Sequence, residues 1–134
     1  MADSGGLTSW PVENIPDLDR LYMRVHRNNQ VDGVPTPGAF RDHPPDGERP
    51  GMSTDWSRYS TPEETLARAR KPEDNGVVEM VVGAVRAIPN LRVEHVPLPE
   101  NRAHSEVFGK KDVEARVLLQ RACRWSLPIK PLPL

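Results

Sequence analysis

The stretch that decides the fold is residues 74–90, which reads DNGVVEMVVGAVRAIPN. Its apolar residues recur at intervals of three and four, the spacing that lines one face of an α-helix. Pro89 follows the pattern and would end such a helix. The stretch therefore predicts a central helix over residues 77–88, in which Val81 and Val85 are buried.

Shorter elements are predicted on both sides of this stretch. Residues 21–26, LYMRVH, alternate apolar and polar side chains as a half-buried strand does. A hydroxyl cap with proline and glutamate behind it, STPEE at 60–64, predicts a helix start. The full set is strands over 21–26, 52–56, 91–96 and 104–109, and helices over 62–70, 77–88 and 112–125.

The chain has room for one domain, because 134 residues support one modest core. It contains 15 prolines, which indicates long irregular segments around that core. We expect an α+β domain, with about three helices on a short, mostly antiparallel sheet and long Pro-rich loops. The predicted parts are an extended or flexible segment (1–16), the domain (17–126) with a Pro/Gly loop (28–51), and a Pro-rich tail (127–134).

Composition excludes several classes of function. A formal net charge of −1 argues against nucleic-acid binding through charge. There is no apolar run long enough for a membrane span and no signal-peptide pattern, so we expect a cytoplasmic protein. The four histidines and the single cysteine never stand at ligand spacing, so no metal is expected. Glycine-rich phosphate loops and the G-x-S-x-G motif are also absent.

Two polar groups of residues could form a site. Tyr22, Arg24 and His26 share one face of the first predicted strand. Asn101 and His104 lie in a polar turn that leads into another strand. The ordinary interpretation is a solvated strand surface and a polar turn, and the functional one is a binding site.

The chain resembles a family of short uncharacterised bacterial proteins over about residues 20–125. The resemblance rests on LYMRVH at 21–26, DG at 32–33, AF at 39–40, MSTD at 52–55, PLPENRAH at 97–104 and GKK at 109–111. It implies a bacterial origin and no particular activity.

A second resemblance is to minimal ADP-ribosyltransferase toxins. It rests on Leu21-Tyr22-Met23-Arg24, Ser53-Thr54 and Glu106, although Arg24 stands one place late and the serine motif lacks its last residue. This resemblance implies NAD as cofactor, with arginine on the pyrophosphate and glutamate on the ribose. The catalytic set under this alternative would be Arg24, His26, Ser53, His104 and Glu106, and their meeting in one pocket is its first requirement.

The competing expectation is a protein-interaction or accessory domain without catalysis or a cofactor. Its support is the long prolyl segments and an apolar tail, which carries Ile129, Leu132 and Leu134. The expected partner is another protein, and a homo-oligomer is left open. The candidate binding residues are Tyr22, Arg24, Asn101, His104, Ile129 and Leu132.

Overall fold

The computed structural model describes residues 10–42 and 51–132. They form one α+β domain in which the sheet is larger than the helices. The strands are β1 (Arg20–His26), β2 (Gln30–Val31), β3 (Val34–Pro35), β4 (Gly51–Trp56), β5 (Asn75–Val81), β6 (Arg92–His95), β7 (His104–Phe108) and β8 (Cys123–Leu127). The helices are α1 (Pro62–Ala67), α2 (Val82–Arg86) and α3 (Val113–Ala122).

Six strands form one antiparallel sheet in the order β6-β7-β4-β1-β5-β8. The strand alternation predicted for β1 sets its two faces. Leu21, Met23 and Val25 are buried in the core, to which α2 and α3 also contribute. Tyr22 and Arg24 point to the opposite face, where α1 lies, because Arg24 donates to the carbonyl oxygen of Thr65 in α1 at 3.0 Å.

The prediction of a central helix over residues 77–88 is wrong. Residues 75–81 are strand β5, paired along its whole length with β1, and only Val82–Arg86 is helical. Val85 is fully buried as expected, but Val81 is 40% exposed. Both Val77 and Val78 are buried, although neighbouring residues face opposite sides of a strand. The core covers one side of β5, and other chain segments cover the opposite side.

The helix predicted over residues 112–125 ends early. Asp112 caps it by accepting from the backbone N–H of Ala115 at 2.8 Å, as expected for an N-cap. The helix stops at Ala122, and the chain continues as β8, which pairs with β5. The first residue of the predicted tail, Leu127, is therefore part of the sheet.

The segment expected to be an irregular loop over 28–51 contains local structure in its described part. β2 and β3 form a hairpin whose turn residues, Asp32 and Gly33, both have positive φ, as a two-residue type I′ turn requires. Phe40 is fully buried and joins this segment to the core. Within residues 10–42 and 51–132, no helix is long and apolar enough to cross a membrane.

Candidate functional site

β1 and β4 separate after two residue pairs, and this separation opens a cleft in the polar face of the sheet. β1 pairs with β5 along all seven of its residues, and β4 pairs with β7 from Gly51 to Asp55. Between β1 and β4, however, the ladder contains only Leu21–Trp56 and Tyr22–Asp55. The backbone groups of Arg24 and Ser53 that face this opening consequently make no ladder hydrogen bonds.

The cleft has a volume of about 720 Å³. Its polar walls come from β1, β4, β7, α1 and the turn before β7. Met23 and Met52 also line it, although their side chains are packed in the core. Polar residues on its walls include Tyr22, Arg24, His26, Arg41, Ser53, Asp55, Arg68, Asn101 and His104. Ligand sites usually combine such a concave shape with a few convergent polar groups.

Asp55 organises the closed end of the cleft. Its side chain is 6% exposed and forms an ion pair with Arg68 at 2.7 Å. The hydroxyl of Thr65 donates to the same carboxylate oxygen at 2.8 Å, and the amide of Asn101 donates to the other at 2.9 Å. Asp55 therefore attaches both α1 and the turn before β7 to the sheet, and Arg68 is used for structure.

A buried lysine fixes Asp42, the residue that follows Arg41. Lys111, whose side chain is 2% exposed, forms an ion pair with Asp42 at 2.6 Å. Its ammonium also donates to the carbonyl oxygens of Val107 and Gly109, each at 2.7 Å. The residue before Asp42 is Arg41, which lines the cleft and has no ion-pair partner among the described residues.

Two further side chains offer hydrogen-bond donors to the cleft. The Nδ1 atom of His26 accepts from the backbone N–H of Asn28 at 3.0 Å, so the neutral ring carries its proton on Nε2. Burial raises the pKa of Tyr22, and the charge of Glu79 raises it further, so its hydroxyl stays protonated. Together with Arg24 and Arg41, these groups give the cleft donors and positive charge.

Most of the site residues predicted from sequence lie around this one cleft. Tyr22, Arg24, His26, Ser53, Asn101 and His104 line it. Glu106 lies beside it, opposite Ser53 in the β4–β7 ladder, and its carboxylate is 3.3 Å from Nε2 of His104. Ile129 and Leu132 are not part of the cleft. Ile129 lies near Gly76 in β5, and Leu132 is 61% exposed.

Sequence reasoning missed Arg41, Asp55 and Arg68. An acidic residue inside an otherwise buried strand, as in MSTDW at 52–56, was a signal that Asp55 has partners. Arg41 and Arg68 gave no comparable signal, because an arginine after a loop or helix is ordinarily solvated.

The described residues contain no group of three or more His, Cys, Asp or Glu side chains placed to hold a metal ion. No protein-family model, curated protein or solved structure matches the chain.

Proposed function

We propose that the domain binds a small phosphate-bearing molecule in the cleft between β1 and β4. The observation that carries the proposal is the convergence of Arg24, Arg41 and His26 on a cleft of about 720 Å³. The arginine guanidinium group best matches the geometry of phosphate oxygens, and an imidazole N–H adds a further donor. The volume falls within the roughly 300–1,000 Å³ of small-molecule sites.

The positive charge available to a ligand comes from Arg24 and Arg41, and Glu100, which also lines the cleft, opposes it with one negative charge. Arg24 donates one N–H group to the carbonyl oxygen of Thr65. Its other N–H groups remain available to a ligand because the residue is exposed. Arg68, in contrast, is neutralised by Asp55. His26 adds an N–H donor at Nε2, because its Nδ1 accepts from the backbone N–H of Asn28.

The rest of the cleft suits the non-phosphate part of such a molecule. Leu98, which lines the cleft and is 37% exposed, offers an apolar surface for a ring, and the hydroxyls of Tyr22 and Ser53 provide polar contacts. Backbone groups of Arg24 and Ser53 at the separation of the two strands are further hydrogen-bonding groups, since the ladder does not use them. A nucleotide has this combination of phosphate and ring.

Isothermal titration calorimetry tests the proposal, with pyrophosphate, AMP, ATP and NAD as ligands. We expect at least one to bind, with an affinity that falls as salt concentration rises. Arg24→Gln and Arg41→Gln should each weaken binding about tenfold or more, since a charged hydrogen bond contributes about 1.5–3 kcal/mol. Arg121→Gln is the matched control, because Arg121 is exposed on α3, on the other side of the sheet. Absence of binding by all four ligands at millimolar concentration would contradict the proposal.

The NAD-dependent activity implied by the toxin resemblance is a special case of this proposal. Arg24, Ser53 and Glu106 stand on three strands around the cleft, which supports including NAD among the ligands. If NAD binds and nicotinamide is released, this alternative gains its support.

The protein-interaction expectation remains a separate proposal. Its support is the apolar tail, of which Leu132 is exposed. Ile129, however, contacts its own domain near Gly76, so that part of the tail is already occupied. A pull-down with the tail deleted distinguishes this proposal from ligand binding.

A further inference from the structure

We propose that the cleft is catalytic, with His104 as the general base that activates water for attack on a phosphorus atom of the bound ligand. The inference rests on the proposed binding of a phosphate-bearing molecule. It predicts that the ligand is a phosphoric ester or anhydride and that the domain hydrolyses it.

The hydrogen bonds of the described histidines single out His104. His95 is buried, accepts from the backbone N–H of Glu13 through Nδ1, and is 2.7 Å from the carbonyl oxygen of Arg102 through Nε2, so both ring nitrogens serve the fold. His26 has its Nδ1 lone pair occupied by the N–H of Asn28. Among the three histidines in residues 10–42 and 51–132, only His104 keeps an unoccupied nitrogen that can accept a proton.

That nitrogen is Nδ1. The Nε2 atom of His104 faces a carboxylate oxygen of Glu106 at 3.3 Å, and an ionised carboxylate can only accept, so the neutral ring donates from Nε2. The lone pair then lies on Nδ1, which has no partner among the described residues and is not sealed from solvent. A carboxylate that orients an imidazole in this way also stabilises the imidazolium formed during proton transfer.

The environment of the pair supports a positioned base. The side chains of His104 and Glu106 are only 15% and 16% exposed, which strengthens their mutual interaction relative to bulk water. Gly51 makes the arrangement possible, because a Cβ atom at this position would collide with the Glu106 carboxylate. The hydroxyl of Ser53, directly across the ladder from Glu106, makes no hydrogen bond among the described residues and can hold a water molecule.

The proposed step is a balanced hydrolysis. Nδ1 of His104 takes a proton from water while the water oxygen forms a bond to phosphorus. The bond from phosphorus to the leaving oxygen breaks, and the electron pair departs with that oxygen. The proton on His104 then passes to the leaving oxygen or to solvent. Arg24 and Arg41 would neutralise the charge on the non-bridging oxygens.

The test is hydrolysis of ATP, NAD and bis(4-nitrophenyl) phosphate in ¹⁸O-labelled water, followed by ³¹P NMR. We expect ¹⁸O on phosphorus for at least one of the three probes. His104→Ala should reduce kcat about 100-fold or more, the usual contribution of a general base, and change the Kd of the same probe less than threefold. Glu106→Gln and Gly51→Ala act through the position of His104, so each should lower kcat about tenfold without weakening binding.

Glu114→Gln is the matched control, because Glu114 is exposed on α3, on the other side of the sheet, and it should leave kcat unchanged. The kcat of Gly51→Ala tests the position of His104 only if the circular dichroism spectrum of this variant is native. If the spectrum is not native, Glu106→Gln alone provides this test. Binding without hydrolysis overturns the catalytic inference and leaves the binding proposal standing. Undiminished turnover by His104→Ala, or ¹⁸O on carbon with release of nicotinamide, also overturns it.

Discussion

One buried carboxylate, that of Asp55, connects three parts of the chain at the closed end of the cleft. It accepts from the hydroxyl of Thr65 and the amide of Asn101 and pairs with Arg68. A carboxylate that lost these partners inside the protein would carry a large desolvation cost. Asp55 therefore contributes to the cleft by positioning its walls. Because Asp55 neutralises Arg68, the positive charges left for a ligand are those of Arg24 and Arg41.

A second carboxylate, Glu79, makes a pH-dependent contribution to stability. Burial alone would raise its pKa, but hydrogen bonds from Ser126 and Arg124 and the charges of Arg124 and Arg20 outweigh burial, so the pKa is lowered. The stabilisation is complete above the pKa of an unfolded-chain glutamate, about 4.3, and is lost as pH falls through the lower pKa of the folded state.

We expect Glu79→Gln to reduce the free energy of unfolding by about 1 kcal/mol at pH 7 and by much less at pH 3. Urea denaturation at both values measures this difference. Glu114→Gln, in the first turn of α3, serves as the control. Equal losses for Glu79→Gln at pH 7 and pH 3 would show that its hydrogen bonds do not depend on its charge.

At the scale of elements, the sequence correctly predicted the strands and helices that a local residue pattern identifies. The alternation of LYMRVH identified β1, and the cap at Thr61 with Glu64 identified α1, where both hydrogen bonds of the capping box are present. β5 was misassigned because a strand covered on both faces is apolar at adjacent positions, and such a run fits helical spacing as well. Its identity depends on pairing with β1 and β8, which no local pattern contains.

The two assignments of residues 75–88 differ in a measurable way at Val81 and Val85. A central helix would bury both residues, whereas the strand leaves Val81 at the exposed end of β5 and buries Val85 in α2. Val85→Asp should destabilise the domain by about 3 kcal/mol or more, since it buries an unpaired charge. Val81→Asp should cost about 1 kcal/mol or less. Thermal unfolding of both variants distinguishes the strand from the helix. Equally large losses of stability in the two variants would favour the helix.

At the scale of the whole molecule, the candidate site was predictable only in part. Alternation placed Tyr22, Arg24 and His26 on one face, because side chains two residues apart in a strand share a side. Ser53 and His104 could be named but not brought to the same place, since their proximity depends on the strand order. The separation of β1 from β4, which opens the cleft, is a property of the complete sheet and has no sequence signal.

The C-terminal segment is the part of the molecule in which fold and proposed interaction overlap. Leu127 ends β8, and a side chain added at Gly76 would lie 2.9 Å from Cγ1 of Ile129. The carbonyl oxygen of Lys130 accepts from the guanidinium of Arg27 at 3.3 Å. Leu132 is exposed. These contacts divide the segment into a part that stabilises its own domain and a part that does not.

Two truncations test this division. Deleting residues 128–134 should lower the melting temperature by roughly 3–6 °C, because about 1 kcal/mol of half-buried isoleucine and its ordered backbone is lost. Deleting residues 132–134 should leave the melting temperature unchanged, since Leu132 contributes little buried surface. If the longer truncation melts like the full chain, Ile129 does not stabilise the domain, and the whole segment from Pro128 is available to a partner protein.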